Sequence, residues 1–212
     1  MRILGIDPGL RLTGYGCIEP CRGGGFAGHS IVEAGVFRLL KRPTRAGVGD
    51  DSEEAGEGLE GGDEELGVEP CLEVSDPLGR ARVPLRSVSE RLVELDRDFR
   101  ELLGRVRPGV VAIEGLFSHY KHPATAIVMG HARGVICLAA SLAGIPVIHY
   151  SATQIKKVLT GNGRAPKIQM QQAIQRELGL AKLPEPADVA DALAIALCHY
   201  YLAAKRGAAL PD

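Results

Sequence analysis

The chain opens Met1-Arg2-Ile3-Leu4-Gly5-Ile6-Asp7-Pro8-Gly9, and this stretch decides how the rest is read. A short apolar run closed by a Pro-Gly turn signal reads as a buried strand over residues 2–6 that delivers Asp7 to its tip. A second such run, Gly109-Val110-Val111-Ala112-Ile113, ends at Glu114. Far along the chain, Asp188 and Asp191 stand three apart at the start of the apolar helical stretch Ala187-Asp188-Val189-Ala190-Asp191-Ala192-Leu193-Ala194-Ile195-Ala196. Residues three apart share a helix face. Two strand tips and one helix face can therefore bring four carboxylates to a single point.

Working outward, residues Gly14 to Glu19 and Ser30 to Leu40 read as two further strands, joined as a hairpin through Gly23-Gly24-Gly25. Val88, Leu92, Leu95, Phe99, Leu102 and Val106 recur at helical intervals and stop before Pro108-Gly109. A long helix is expected from about Pro123 to Ala143, then a strand from Ile145 to His149. Ser151-Ala152-Thr153-Gln154 has the form of a capping box opening a short helix that Gly161 stops. Pro166 is expected at the first position of the next helix, and Glu185-Pro186 precedes the last. Three meandering strands followed by βα units predict an α/β fold: a mixed five-stranded sheet with helices on both faces.

At 212 residues and 45% hydrophobic content, the chain fits one domain with a real core. That domain is expected over residues 1–205, with 206–212 as a flexible tail. It is interrupted by segment 46–82, which is Gly-rich, acidic and aperiodic and is expected to be a disordered insertion. The net charge of -1 conceals an asymmetry. Residues 46–79 hold twelve acids and no Lys or Arg, so the rest carries 25 basic against 14 acidic residues, a balance of +11. A basic body attracts phosphate backbones. The five cysteines lack CxxC spacing, which favours neither a disulfide framework nor zinc. The apolar stretch from Val135 to Ile148 is broken by Ser141, Gly144 and Pro146 and is too short to span a bilayer. With no signal-type leader ahead of the first strand, no membrane is expected and a cytoplasmic location is.

Each acid has an ordinary role available to it. Asp7 could serve its turn, Glu114 could lie on the surface after a strand, and Asp188 and Asp191 could answer the helix dipole. Together they fall at element ends facing one edge of a sheet, which coincidence explains poorly. Crowded carboxylates repel, and one rises in pKa unless a cation is bound. Hard oxygen ligands suit Mg²⁺ or Mn²⁺, and two such ions roughly 4 Å apart promote phosphodiester hydrolysis. The six histidines form no HxxxH or HxH pair, and none is assigned to metal.

Four motifs now stand in order: Gly5-Ile6-Asp7-Pro8-Gly9-Leu10-Arg11-Leu12-Thr13-Gly14-Tyr15-Gly16, Ala112-Ile113-Glu114, His131-Ala132-Arg133-Gly134-Val135 and Ala187 to Ala196. Taken together they resemble the RuvC family of Holliday junction resolvases, over about residues 1–45 and 83–204. The resemblance implies an RNase H-like fold, and an endonuclease that resolves four-way DNA junctions by paired symmetric nicks in recombination and repair. It implies that Asp7, Glu114, Asp188 and Asp191 are the catalytic acids and metal ligands, with two Mg²⁺ ions per site and Mn²⁺ possible. Asp188 occupies a position that is His in some relatives. Phe117 matches an aromatic placed at the junction crossover, where a ring can stack on an unpaired base; core packing is the alternative. Lys156 and Lys167 match lysines that approach the scissile phosphates, and Lys157 and Arg164 are basic neighbours. A homodimer is implied, acting with the RuvA–RuvB branch-migration machinery.

The chain departs from the family pattern at the acidic insertion and at Gly115-Leu116-Phe117-Ser118-His119-Tyr120-Lys121, where relatives often place Gln after the Glu. Met129-Gly130-His131 stands where Leu-Gly-Gln is more usual and reads as a packing detail of the helix. Fold alone does not decide function, because actin-like ATPases share a strand-Asp-x-Gly opening. Those proteins need a second lobe with another phosphate loop, which nothing after residue 115 supplies. A RuvC-like nuclease processing ribosomal RNA precursors shares the acids but not the full motif set. A junction-binding scaffold without catalysis is disfavoured by the presence of all four acids.

Overall fold

The computed structural model describes residues 1–20, 28–39, 87–115 and 123–205. The elements are β1 (Ile3–Asp7), β2 (Leu12–Pro20), β3 (His29–Arg38), α1 (Val88–Val106), β4 (Val110–Glu114), α2 (Pro123–Leu142), β5 (Val147–Tyr150), α3 (Ala152–Thr160), α4 (Lys167–Glu177) and α5 (Ala187–Lys205). Their order is the expected one. The Gly23–Gly25 connection, Leu40, the insertion 46–82, Phe117 and the tail 206–212 lie outside the described residues.

The strands form one sheet in the order β3-β2-β1-β4-β5. β1, β2 and β3 pair antiparallel, while β4 and β5 continue parallel to β1. Alternate residues of a strand face opposite sides, and the two central strands obey this strictly. Leu4, Ile6, Val111 and Ile113 pack with Phe99, Leu102 and Ile136 beneath α1 and α2. Ile3, Val110 and Ala112 pack with Ile155, Ile174 and Leu193 beneath α3, α4 and α5. Each large aliphatic side chain so buried stabilises the fold by about 1.5–3 kcal/mol.

Helix ends follow local chemistry. Ser87 and Glu90 close a capping box on α1 that periodicity alone does not reveal. Ser151 caps α3 by accepting from the Gln154 N–H at 3.1 Å, and Gly161 ends it at φ 75, as expected. Several boundaries shift by one or two residues, with β2 running Leu12–Pro20 and β3 His29–Arg38, and two of the shifts turn on a proline. Pro166 is the N-cap of α4 rather than its first residue. β5 begins at Val147, not Ile145, because Pro146 has no N–H to give the ladder and contributes only its carbonyl, which accepts from Val111 N–H at 2.9 Å.

By length and composition alone α5 could cross a membrane. Here it is a core helix: Ala190, Ala192, Leu193, Ala194, Ile195, Ala196 and Leu197 are all buried, packed on the sheet.

Candidate active site

β1 and β4 run parallel in register, Ile6 opposite Ile113, so the next residue of each, Asp7 and Glu114, stand side by side at the carboxyl end of the sheet. That is where open α/β sheets place their ligands. α5 is brought to the same edge by glycine. A Cβ on Gly5 would lie 2.0 Å from the Ala192 carbonyl oxygen, and one on Gly14 would lie 2.2 Å from that of Asp188. Gly5 pairs with Gly16, and Asp7 with Gly14. These glycines form a bare patch: the helix backbone rests directly on Gly5 and Gly14, the Leu193 side chain on Gly16, and Asp188 and Asp191 come with the helix. The signal was in the sequence: Gly14 and Gly16, two apart, must share a strand face.

The electrostatics follow from this crowding. The Asp7 carboxyl is pushed up to about 7, first by burial and then by the charges of Glu114, Asp191 and Asp188, with Lys167 opposing. Glu114 is raised by burial and by Asp191, against the pull of Lys156 and Arg133. Asp191 is raised by burial, while Lys167 lowers it. The Lys167 ammonium lies 3.6 Å from Asp191 Oδ2. Lys156 and Lys167 line one cleft with Glu114 and Asp191. Lys157 and Arg164 are exposed and outside that lining. Phe117 lies outside the described residues.

Among the described residues, no three carboxylate, imidazole or thiolate groups gather tightly enough to form a finished metal cage. Asp7 nevertheless feels the charges of Glu114, Asp191 and Asp188. The donor set is all carboxylate, which matches a hard divalent cation.

Two supporting residues sit in the quoted motifs without having been given a role. Thr13, fully buried, donates its hydroxyl to the Gly9 carbonyl at 2.5 Å and accepts from Gly9 N–H at 3.3 Å. It stitches the turn that follows Asp7. Arg133 on α2 donates to the backbone carbonyl of Glu114 and meets His149 Nδ1 on β5, bracing the tips of both strands. Burial of a Thr and an Arg reaching a strand end are visible only in three dimensions.

A mixed sheet of this order, helices on both faces and acids at its central strand tips, defines an RNase H-like fold of the nuclease kind. A model of the family described as "Crossover junction endodeoxyribonuclease RuvC" matches residues 77–199. The crossover junction endodeoxyribonuclease RuvC of Rhodopirellula baltica is 43% identical over 201 residues, covering 95% of this chain and 86% of that protein. The structure of Thermus thermophilus RuvC matches with a TM-score of 0.69 at 28% identity, over the full length of both chains. The T. thermophilus RuvC complex with a Holliday junction substrate matches with a TM-score of 0.68 at 27% identity, covering 100% of this chain and 99% of that one. The chain belongs to the RuvC family of crossover junction endodeoxyribonucleases.

Proposed function

We propose that this chain resolves four-way (Holliday) DNA junctions by paired symmetric nicks, in recombination and repair. The observation that carries the reading is the meeting of Asp7 and Glu114 on adjacent strand tips with Asp191 from α5, beside two lysines suited to phosphate. The relatives bear junction-resolving names, and the ribosomal RNA reading draws no support from them.

Asp7, Glu114, Asp188 and Asp191 would hold the divalent metal on which the family depends, with Mg²⁺ as the ion, two per site, and Mn²⁺ able to replace it. Metal held there supplies charge to the scissile phosphate and lowers the cost of ionising the attacking water. The chain's own groups do the rest. Lys156 and Lys167 bind phosphate oxygens and hold the strand against the acids. Thr13 and Arg133 keep the backbone of the β1 turn and of Glu114 in place. Water attacks phosphorus in line, the P–O3′ bond breaks, and the products are a 5′ phosphate and a 3′ hydroxyl. Phe117 stacks on a base at the crossover. We take residues 1–205 as one nuclease domain, interrupted at 46–82 and followed by a tail at 206–212. It works as a cytoplasmic homodimer, each subunit nicking one strand, alongside a RuvA–RuvB branch-migration complex.

The test is incubation of the pure protein and Mg²⁺ with four-way junctions, linear duplex and structured RNA, followed by end mapping. Paired nicks with 5′ phosphates on the junction alone are expected. Cleavage of RNA with junctions left intact would replace this reading with the ribosomal one.

A further inference from the structure

A second groove opens beside Asp188. Its wall is formed by the turn after β1, the first turns of α1 and the middle of α2, and it is lined by Arg11, Arg91, Val128, Met129 and Asp188. The cleft of Lys156 and Lys167 contains Glu114 and Asp191 but none of these residues. The acids are shared between two grooves, Asp188 in one and Glu114 and Asp191 in the other, and each groove carries two cations.

Among the described residues, the arginines of this groove lack the carboxylate partners that hold their neighbours further along α1. Along α1, Arg97, Arg100 and Arg105 are each engaged by a carboxylate, from Asp98 at 2.9 Å, Asp96 at 2.7 Å and Glu33 at 2.8 Å. Arg91, on the same helix, donates only its Nε, to the Ser87 carbonyl at 3.4 Å, so both terminal nitrogens lack a partner among the described residues. Arg11 is exposed and makes no ion pair among the described residues. A guanidinium fork with no carboxylate matches a phosphate, and the half-buried Val128 and Met129 beside it suit a sugar rather than bulk water.

A strand crossing the acids has phosphates on both sides of the scissile one, and carboxylates repel them all. Lysines answer that repulsion on one side only. We propose that the Arg11–Arg91 groove seats the sugar-phosphate backbone of the same DNA strand on the side of the acids away from Lys156 and Lys167, each arginine neutralising one phosphate. The proposal rests on the junction-nuclease reading.

The experiment compares junction affinity against salt concentration, in EDTA so that nothing is cut, for the wild type and three double variants: Arg11→Gln/Arg91→Gln, Arg11→Lys/Arg91→Lys, and Lys156→Gln/Lys167→Gln. Each phosphate contact contributes about 0.9 to the salt slope. The Arg→Gln pair removes two contacts from each subunit, so it should flatten the slope by about 1.8 per subunit and about 3.6 for a bound dimer, equally for junctions of different sequence, and the Arg→Lys pair should restore it. A slope unchanged by the Arg→Gln pair while the lysine pair lowers it would overturn the groove and leave the nuclease reading standing. A slope lost equally in the Arg→Lys pair would also overturn it, since charge would then not be the cause. A wild type with no affinity for junctions would remove the parent reading instead. Should the Arg→Gln pair melt early, Arg11→Gln alone, an exposed change, must still lower the slope by about 0.9 per subunit, about 1.8 for a bound dimer.

Discussion

Gly14→Ala should disable the enzyme without touching an acid. The new Cβ would lie 2.2 Å from the Asp188 carbonyl oxygen, where ordinary contact begins at 3.4 Å. The obstacle is backbone in the first turn of α5, which cannot rotate away as a side chain would. The helix must lift by about 1.2 Å, and Asp188 and Asp191 lift with it. A misplacement of about 1 Å costs on the order of 10²-fold in rate, or about 2.7 kcal/mol of barrier. Overpacking of this kind also costs about 1–3 kcal/mol of stability, a fall of roughly 2–4 °C in Tm for each kcal/mol in a chain of this size. Single-turnover cleavage of a labelled four-way junction, with thermal unfolding and junction binding measured on the same samples, separates the two losses. The expected result is a folded protein that binds junctions nearly as well as wild type and cuts them about a hundredfold more slowly. Near wild-type cleavage would show that the seating of α5 on β2 does not set the position of its acids.

Other outcomes follow from the same groups. Asp7→Asn should abolish cleavage while leaving junction affinity equal or higher, and should melt higher than wild type in EDTA at pH 8, because a buried charge facing three others is gone; retained cleavage would remove Asp7 from the mechanism. Phe117→Ala should impair junction cleavage far more than duplex binding, since stacking contributes about 1–3 kcal/mol per base; a large loss of thermal stability with a matching fall in every activity would point to core packing instead. His29 is buried against Tyr200 with neither ring nitrogen hydrogen-bonded among the described residues, and burial lowers its pKa while Glu177 opposes. A lowered folded-state value means that stability is fully present above the unfolded value of about 6.5 and is lost as pH falls below it. Urea unfolding at pH 7.5 and 5.5 should show that loss in wild type and less of it in His29→Phe; equal losses would clear His29.

Much of the frame was legible because each deciding signal is local. The runs before Asp7 and Glu114 could only be buried strands, and the spacing from Val88 to Val106 could only be a helix. The order of elements then left few topologies open. Boundaries were less legible where one backbone group decides them: Pro146 moves the start of β5, and Pro166 stops one position short of its helix. In the site, residue type and position at an element's end pointed to the four acids. What holds them was not legible in the same way. Arg133 and the glycine patch act through contacts between segments far apart in sequence, and the Thr13 bond to Gly9, though local, is set by a turn whose geometry the residue types do not announce. The pairing of Gly5 with Gly16 cannot be known until the strands are aligned.

The seating of α5 on β1 also sets a clock. The first acid of the proposed site is residue 7 and the last is residue 191, and the two meet only when the final helix lies on the first strand. A ribosome adding about 5–20 residues each second needs roughly ten to forty seconds to travel from one to the other. Throughout that interval the growing chain carries Asp7 and later Glu114, but not the pair from α5. On the proposed site, a chain broken off before residue 187 has only two of its four acids and is expected to be unable to cut DNA.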